Sequence, residues 1–398
     1  MISNYQIFKM FLFLGLTSFG GPTAHIGYLH NRFVEKIKWI SNKDFLELVA
    51  LCQFFPGPTS SQIVYSIGLI KKGFLGGLLA WFGFTLPSAC IMIFFAYGVE
   101  FITDDSNLGL MRGLISVSVP IVGIALWYMS RSLCIDFYHW LICFGATIIL
   151  MFLDSGFGHL AVIVFGMSSG LLLHSIEVRS DHSTILFPLG NKWALFLLFT
   201  FIFFLISLPV FSKLSGLENW NIFANFYRSG ALVFGGGHVV LPLLQADFVP
   251  TGFLSEEQFL VGYGVAQAIP GPMFTFASYL GTLLAFESGS LWYAPTLGVV
   301  CLLWIYLPTF LLVPPALWFW SALRGRKKIR AGLSGINAAV VGLLIHSFLF
   351  TVIPASLVSA LDIVLVCVGF LMLVAFKLPA WIVVLALGSL GWGLAAII

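Results

Sequence analysis

The sequence predicts an all-α polytopic integral membrane protein, built from two homologous repeats of inverted topology with broken or re-entrant helical hairpins. Three observations lead to this prediction: an extreme apolar composition, a duplicated order of helix-breaking motifs, and opposite charge in matching loops. Of 398 residues, 60% are apolar and only 9% are charged, whereas about 25% are charged in soluble domains. Mean hydropathy is +1.03. A soluble core cannot absorb so many apolar runs, so about 9–13 membrane segments are expected.

The charged and sulfur-containing residues exclude several other classes. The net charge of +3 is small, and the basic residues cluster in short loops, which indicates membrane topology rather than nucleic-acid binding. The six cysteines all lie in apolar segments without a CxxC pair, so neither a disulfide framework nor a zinc site is expected. No small-residue cleavage site follows the first apolar run, and we therefore expect no removable signal peptide.

The order of helix-breaking motifs is duplicated. Phe19-Gly20-Gly21-Pro22 and Pro56-Gly57-Pro58 return in the second half as residues 234–237 and 270–272, at offsets of 215 and 214 residues. Further matched markers are Leu86-Pro87-Ser88 with Leu307-Pro308-Thr309, and Gly113 and Gly123 with Gly332 and Gly342. We predict a first transporter repeat over 1–176, a linker with one extra membrane helix over 177–215, and a second, inverted repeat over 216–398.

Matching loops of the two repeats carry opposite charge. Residues 31–43 have a net charge of +3, and their counterpart 245–258 has −3. Residues 100–112 have −2, whereas 321–331 have +5. Because positive loops stay on the cytoplasmic side, equivalent loops are expected on opposite sides of the membrane. Inverted repeats of this kind are typical of transporters, although some channels share them.

The segment around Pro56-Gly57-Pro58 has basic residues on both flanks, in 31–43 and at Lys71 and Lys72. A single crossing would place one basic flank outside, whereas a hairpin that turns at the prolines keeps both inside. The same argument predicts four broken or re-entrant hairpins, at about 5–30, 44–70, 220–246 and 257–286, about nine full crossings and a cytoplasmic N-terminus. If the broken segments cross instead, the count becomes about thirteen spans, and the sequence leaves this alternative open.

The residues after the first Pro-Gly-Pro predict an anion site. A helix that begins in mid-membrane presents free backbone N–H groups and the positive end of its dipole. Thr59, Ser60 and Ser61 follow the turn and add neutral hydrogen-bond donors, an arrangement that suits an oxyanion. The second half has a single hydroxyl at the equivalent positions 273–275, that of Thr275, and is therefore poorer in donors.

The candidate substrate-binding residues lie at these breaks or beside them, together with an arginine inside an apolar segment, where ionisable residues are functional candidates by default. They are Gly20, Gly21, His25, Gln53, Pro56, Gly57, Pro58, Thr59, Ser60, Ser61, Arg228, Gly236, His238, Gln267, Gly271 and Thr275. Simpler roles stay open for each type. The prolines could form a plain kink, the glycines could serve helix packing, the histidines could be buried hydrogen-bonding groups, and Arg228 could reach the interface.

Enzymatic chemistry has little support in the sequence. There is no Gly-x-x-x-x-Gly-Lys phosphate loop and no HExxH motif. Acidic residues inside the apolar segments are scarce, and Glu47 is the best-placed carboxylate for proton coupling, although it lies near a segment end. We therefore expect neither an enzyme nor a protein with a cofactor or a metal.

These motifs resemble the chromate ion transporter family in its long, two-domain form. The resemblance rests on Phe19-Gly20-Gly21-Pro22 with residues 24–28, on 51–62 and on 84–89, and residues 234–238 and 270–272 fit the same pattern. It implies transport of chromate, with sulfate as the chemically similar dianion, usually as export that confers resistance. The hydroxyl-poor stretch after Pro272 speaks against an equal role for both halves.

We therefore expect a multi-pass secondary transporter of the cell (inner) membrane that moves chromate, and sulfate as a second anion, by alternating access where the hairpin tips converge. Its expected partners are the anion and the lipid bilayer, with a homodimer left open and no nucleic acid. A channel-like anion pathway is the first alternative, and a membrane enzyme or non-transporting sensor is the second. The sequence does not indicate the coupling ion.

Overall fold

The computed structural model describes residues 3–103, 108–153, 156–173, 190–234, 239–287, 292–323 and 326–395. Within these ranges every regular element is helical, as predicted. The α-helices are α1 Asn4–Thr17, α2 Gly21–His30, α3 Asn42–Phe54, α4 Thr59–Thr103, α5 Leu108–Ser116, α6 Ser118–Leu133, α7 Phe137–Phe152, α8 Gly156–Leu173, α9 Asn191–Ser215, α10 Glu218–Leu232, α11 Val240–Phe248, α12 Glu256–Ala268, α13 Phe276–Glu287, α14 Ala294–Leu323, α15 Lys327–Ser347, α16 Ile353–Ser356, α17 Ala360–Phe370 and α18 Ala380–Ala395. Tighter or wider turns extend some of them, at Asn31–Lys36, Met273–Thr275, Phe348–Val352 and Leu371–Ala375.

Five of the described helical stretches are long and apolar enough to cross a membrane. They are 59–99, which is divided by a non-helical bend at Lys72 and Gly73, and 108–133, 191–215, 294–320 and 327–356. Shorter apolar helices accompany them, among them α7, α17 and α18. The expectation of an all-α polytopic membrane protein is thus confirmed.

The first predicted hairpin region is built from short, interrupted helices. α1 ends at Thr17, and the chain passes through Gly20 and Gly21, whose φ angles of 96° and 73° are in the left-handed region that favours glycine. α3 ends at Phe54, and α4 begins at Thr59 after the prolines. Neither α1 nor α3 is long enough to span a hydrocarbon core of about 30 Å by itself.

α4 is itself a hairpin of two arms. Lys72 and Gly73 leave helical geometry, with φ of −145° and 66°. A Cβ added to Gly68 in the first arm would lie 2.3 Å from the backbone oxygen of Gly76 in the second, so the arms pack closely. Lys71, at the end of the first arm, lies over the ring of Trp39 at 5.9 Å. Both basic flanks therefore meet at one end of the fold, which is the arrangement the hairpin prediction requires.

Equivalent residues of the two halves make equivalent contacts. The rings of Phe11 and Phe33 are 4.9 Å apart, and those of Phe226 and Phe248, each 215 positions later, are also 4.9 Å apart. Serines at matching positions, 41 and 255, cap α3 and α12. These matched contacts support the duplication, whereas its inversion and the repeat boundaries stay predictions.

The two halves interlock through close helix contacts. α15 packs along α7 and α8, and α18 packs along α5. A Cβ on Gly335 of α15 would lie 2.1 Å from the backbone oxygen of Gly166 in α8. Small residues allow backbones to approach in this way inside membranes. α9, in the predicted linker, packs mainly on α10 and α14, and only 11% of its most apolar window is buried, as expected for a helix that faces lipid.

Candidate functional site

The first Pro-Gly-Pro turn, residues 56–58, contacts the second half of the chain. Gly57 has φ of 128°, a conformation that a residue with a Cβ rarely adopts. Its amide donates a 2.7 Å hydrogen bond to the carbonyl of Val233, directly after α10. This turn therefore satisfies the open carbonyl end of a broken helix from the other half.

The second Pro-Gly-Pro turn, residues 270–272, makes the reciprocal contact. Gly271 has φ of 103°, and its amide donates a 2.9 Å hydrogen bond to the carbonyl of Ser18, directly after α1. Ser18 and Val233 are 215 positions apart, like the glycines that follow them. Each turn is therefore held by the first broken helix of the opposite half, and all four breaks converge.

Both turns also pack against a hydroxyl group of the opposite half. A Cβ on Gly57 would lie 3.1 Å from Thr309 Oγ1, and one on Gly271 would lie 2.7 Å from Ser88 Oγ. Ser88 and Thr309 belong to the repeated Leu-Pro-Ser and Leu-Pro-Thr motifs. Ser88 lies within residues 84–89, which carry part of the resemblance to the chromate ion transporter family, but neither Ser88 nor Thr309 was among the candidate site residues. The recurrence of the two motifs was the signal for a role at the turns.

Several buried polar atoms around the turns lack a hydrogen-bond partner in the described part of the chain. Among them are Ser18 Oγ, His25 Nδ1, Gln62 Oε1, Trp81 Nε1 and Thr309 Oγ1. Buried polar groups in native proteins are nearly always paired with protein, water or a ligand. A cluster of such atoms at the meeting point of four broken helices makes this place a candidate site for a polar ligand or water.

The start of α4 presents the predicted hydroxyl cluster to the interior. Thr59, Ser60 and Ser61 are all buried, and Ser61 is 0% exposed. Ser61 Oγ lies 3.2 Å from the hydroxyl of Tyr306 in α14, a residue that the sequence analysis did not single out. The first turn of this helix carries free N–H groups and a partial positive charge, so an anion is the ligand type that it favours.

At the equivalent helix start in the second half, after Pro272, the polar side chains form hydrogen bonds within their own segment. Thr275 Oγ1 donates a 2.8 Å hydrogen bond back to the carbonyl of Pro272, and Met273–Thr275 forms a 3₁₀ turn. Gln267 is half-buried and its amide points to Met273 Sδ at 2.7 Å. The hydroxyl and the amide are thus engaged within the same segment, and this turn offers fewer donors to a ligand.

His25 has a defined role in the structure. It is buried, its Nε2 lies 3.0 Å from the carbonyl of Ser18, and its ring meets Phe84 edge-on. Because a carbonyl only accepts, Nε2 carries the proton and the neutral ring leaves Nδ1 as an acceptor. His25 Nε2 therefore donates to the same backbone carbonyl that accepts the amide of Gly271.

The remaining predicted site residues lie in varied surroundings. Arg228 forms an ion pair with Asp247 and donates to Asn225 at 3.2 Å, so its charge is compensated within the second half. Gln53 has an exposed side chain at the end of α3, and Gly20 is also exposed. Gly236 and His238 lie outside the described residues.

Two further chemistries find no support among the described residues. No group of three or more His, Cys, Asp or Glu side chains there is arranged to hold a metal ion. A Gly-x-Ser-x-Gly spacing occurs at 166–170, but it lies inside α8, and Ser168 Oγ donates to the carbonyl of Val164 at 2.7 Å. The strand–turn–helix that exposes a nucleophilic serine is not the setting of this segment.

Comparison with known proteins finds relatives along nearly the whole chain. The sequence profile described as Chromate transporter matches residues 5–171 and 220–392. A chromate transport protein of Pseudomonas aeruginosa is 28% identical over 98% of this chain and 92% of its own length. A probable chromate transport protein of Synechococcus elongatus is 28% identical over 85% of this chain and 81% of its own, and a chromate transport protein of Cupriavidus metallidurans is 25% identical over 85% and 80%. No solved structure matches.

Proposed function

Because the chain belongs to the chromate transporter family, we propose that it is a secondary active transporter that exports chromate across the cell (inner) membrane and accepts sulfate as a second dianion. The observation that carries this proposal is the convergence of the two Pro-Gly-Pro turns with buried, unpaired polar atoms around them. In this proposal the anion binds between the start of α4 and the turn that precedes it.

The donors proposed for the anion are neutral. The first-turn N–H groups of α4 and the hydroxyls of Ser60 and Ser61 donate to the oxygens, and Thr309 Oγ1 approaches from α14. Neutral donors and a helix dipole stabilise a dianion without a buried counter-charge. A site of this kind releases its ligand more readily than an arginine pair does, because no strong ion pair must break.

Two side-chain contacts join the halves, and in this proposal they close opposite ends of the path. On the side of the basic loop 31–43, Trp320 Nε1 donates to Glu47 Oε2 at 2.9 Å. Across the second arm of α4, Arg112 donates to the buried carboxylate of Asp362 at 3.3 Å. In alternating access, one of these contacts opens while the other stays closed, and the halves rock about the convergent turns.

The test is exchange by purified protein in proteoliposomes. Uptake of labelled chromate or sulfate should rise when unlabelled anion is present inside, and it should saturate with external concentration. Flux that neither saturates nor responds to internal anion would instead indicate a channel-like pathway. An absence of flux with both anions, by protein whose melting curve is intact, would contradict the transporter proposal and favour an enzyme or a sensor.

The export direction is tested in cells. Expression should lower the steady-state content of chromate and raise the chromate concentration at which growth stops. Gly98→Ala should export chromate like the wild-type protein, because a Cβ at this helical position meets no atom within 4 Å. Cells that accumulate more chromate on expression would show import instead.

A further inference from the structure

Two polar side chains in the second arm of α4 lie close to the hydroxyl cluster that begins the first arm. They are Trp81 and Thr85, which stand four positions apart and therefore share one face of the helix. Trp81 is 6% exposed and Thr85 is 1% exposed. Neither is among the candidate site residues named from the sequence, and neither has a part in the two Pro-Gly-Pro turns.

The indole ring of Trp81 is held by aromatic rings of the other half. Its centroid lies 5.2 Å from that of Tyr306 and 4.9 Å from that of Phe310, and both contacts are edge-on. An indole N–H only donates, and a buried one usually has an acceptor. Trp81 Nε1 is nevertheless buried without a hydrogen-bond partner in the described part of the chain. Ring packing thus sets the orientation of Trp81, and its donor remains for a ligand.

Tyr306 connects this pair to the start of α4. Its hydroxyl lies 3.2 Å from Ser61 Oγ, and Thr85 is its second polar neighbour. The approach of Thr85 Oγ1 does not reach the geometry of a hydrogen bond, and this atom has no other partner among the described residues. Thr85 and Tyr306 each directly precede one of the two repeated Leu-Pro motifs. Equivalent positions of the predicted repeats therefore meet here, beside Ser61.

The second half does not supply the same set of donors. At 221 positions beyond Trp81, which is the offset of the two Leu-Pro motifs, it has the buried and apolar Leu302. The two serine and threonine positions of these motifs differ as well. Ser88 donates to the carbonyl of Thr85 at 3.0 Å, whereas Thr309 Oγ1 has no partner within the described ranges. The unpaired donors near Ser61 are thus Trp81 and Thr85 from α4 and Thr309 from α14.

We propose that Trp81 Nε1 and Thr85 Oγ1 are further ligands of the transported oxyanion. A tetrahedral oxyanion directs its oxygens to all sides, so the first turn of α4 cannot pair with all of them. The two donors of the second arm bind oxygens that this turn does not reach. A buried donor without a partner destabilises a protein, and the bound anion removes that cost at both atoms. The inference rests on the proposed transport of an oxyanion and names additional contacts in that site.

The first experiment measures equilibrium binding of labelled sulfate and of chromate to purified protein in detergent, together with the melting temperature of each variant. Trp81→Phe keeps an aromatic ring against Tyr306 and Phe310 and removes the N–H. We expect Kd to rise by about tenfold or more for both anions, because a hydrogen bond to a charged group is lost. Thr85→Val should raise Kd by a similar factor. Thr85→Ser keeps the hydroxyl and should bind like the wild-type protein.

The second experiment uses the emission of the indole itself. Sulfate does not absorb at the wavelengths of tryptophan emission, so a change of emission on adding sulfate reports on the surroundings of a tryptophan. We expect this change in the wild-type protein and its loss in Trp81→Phe. Trp392→Phe is the matched control, because Trp392 is 62% exposed on α18, and it should keep both the emission change and the wild-type Kd.

The outcomes separate this inference from the proposed function. If the wild-type protein binds and exchanges sulfate, and Trp81→Phe and Thr85→Val bind it equally well, the two residues are not ligands. If Thr85→Ser binds as weakly as Thr85→Val, Thr85 acts through packing and its assignment is wrong. Should Trp81→Phe melt early, the comparison of Thr85→Val with Thr85→Ser decides. Wild-type protein that neither binds nor exchanges either anion would overturn the transport function itself.

Discussion

The two Pro-Gly-Pro turns have the same backbone and different chemistry. Both glycines adopt a positive φ, and both donate their amide to a carbonyl at the end of a broken helix in the opposite half. The residues that follow differ: hydroxyls begin α4, whereas Met273 and Phe274 fill the space and Thr275 bonds to its own segment. The prolines and the glycine thus determine where the chain turns, and the next three residues determine what the turn can bind.

The largest expected effect concerns an ion pair that supports only the first of the two Pro-Gly-Pro turns. Arg228 and Asp247 join α10 to α11, close in sequence to the Val233 carbonyl that receives Gly57, whereas the first half has Phe13 at the position of Arg228. Arg228→Gln leaves a buried carboxylate unpaired, and we expect a loss of about 3–5 kcal/mol of stability. Thermal unfolding in detergent measures it.

The matched control for the loss of this ion pair removes both charges together. Arg228→Met with Asp247→Leu should recover most of the lost stability, because apolar pairs often replace buried ion pairs at little cost. If Arg228→Gln melts like the wild type, the pair does not hold the two helices together.

The next largest effect concerns the central glycine, which both Pro-Gly-Pro turns share. Gly57→Ala and Gly271→Ala both place a Cβ on a backbone with φ above 100°, and both new atoms would lie within 3 Å of a side chain. We expect each to lose about 2 kcal/mol of stability. Gly98→Ala should melt like the wild type or slightly above it. An unequal loss at the two glycines would show that the turns are not supported alike.

A smaller effect concerns the hydroxyl groups after each turn, in which the two turns differ. Ser60→Ala with Ser61→Ala removes two donors from the start of α4, and hydrogen bonds to charged groups contribute about 1.5–3 kcal/mol. We expect KM for the anion to rise by about tenfold or more. Thr275→Ala should leave KM unchanged, because its hydroxyl is engaged by Pro272. Equal effects of the two variants on initial uptake rates would remove the functional difference between the turns.

The smallest effect concerns the partner of the hydroxyl cluster. Tyr306→Phe removes the hydroxyl that lies 3.2 Å from Ser61 Oγ, so the Ser61 hydroxyl is no longer oriented by the tyrosine and is free to turn toward the anion. We expect KM to fall by about twofold and stability to fall by about 1 kcal/mol. Tyr279→Phe is the matched variant, because its hydroxyl donates to the Gln258 carbonyl at 2.7 Å, away from the start of α4. Its KM should not change.

The sequence predicted the helices and breaks of this fold better than the contacts that they make with one another. Composition predicted the membrane class, and the prolines predicted the breaks before Thr59 and Met273. The acceptors of the turn amides, Val233 and Ser18, act through backbone carbonyls, which have no residue signature. These acceptors could be identified only from the structure, because each lies more than 170 positions from its donor in the chain.

Side-chain pairing also limited the prediction of the site. Arg228 was a candidate for the anion because a charge inside an apolar segment usually has a function, but its partner Asp247 comes from the next short helix, beyond a break. Glu47 was a candidate for proton coupling, and it accepts a hydrogen bond from Trp320, 273 residues later in the chain. In both cases the partner lies on a different helix, and the spacing of residues along the chain does not show which helices meet.

The reciprocal backbone bonds have a consequence for biosynthesis. When the first half leaves the ribosome, the carbonyl of Ser18 and the amide of Gly57 have no partners, and an unsatisfied backbone group in lipid costs several kcal/mol. The missing partners arrive only with Val233 and Gly271. The first half therefore stays unfinished until the second half has been made as far as residue 271. Chains severed between residues 173 and 190 should be degraded when produced singly and rescued when both pieces are produced together.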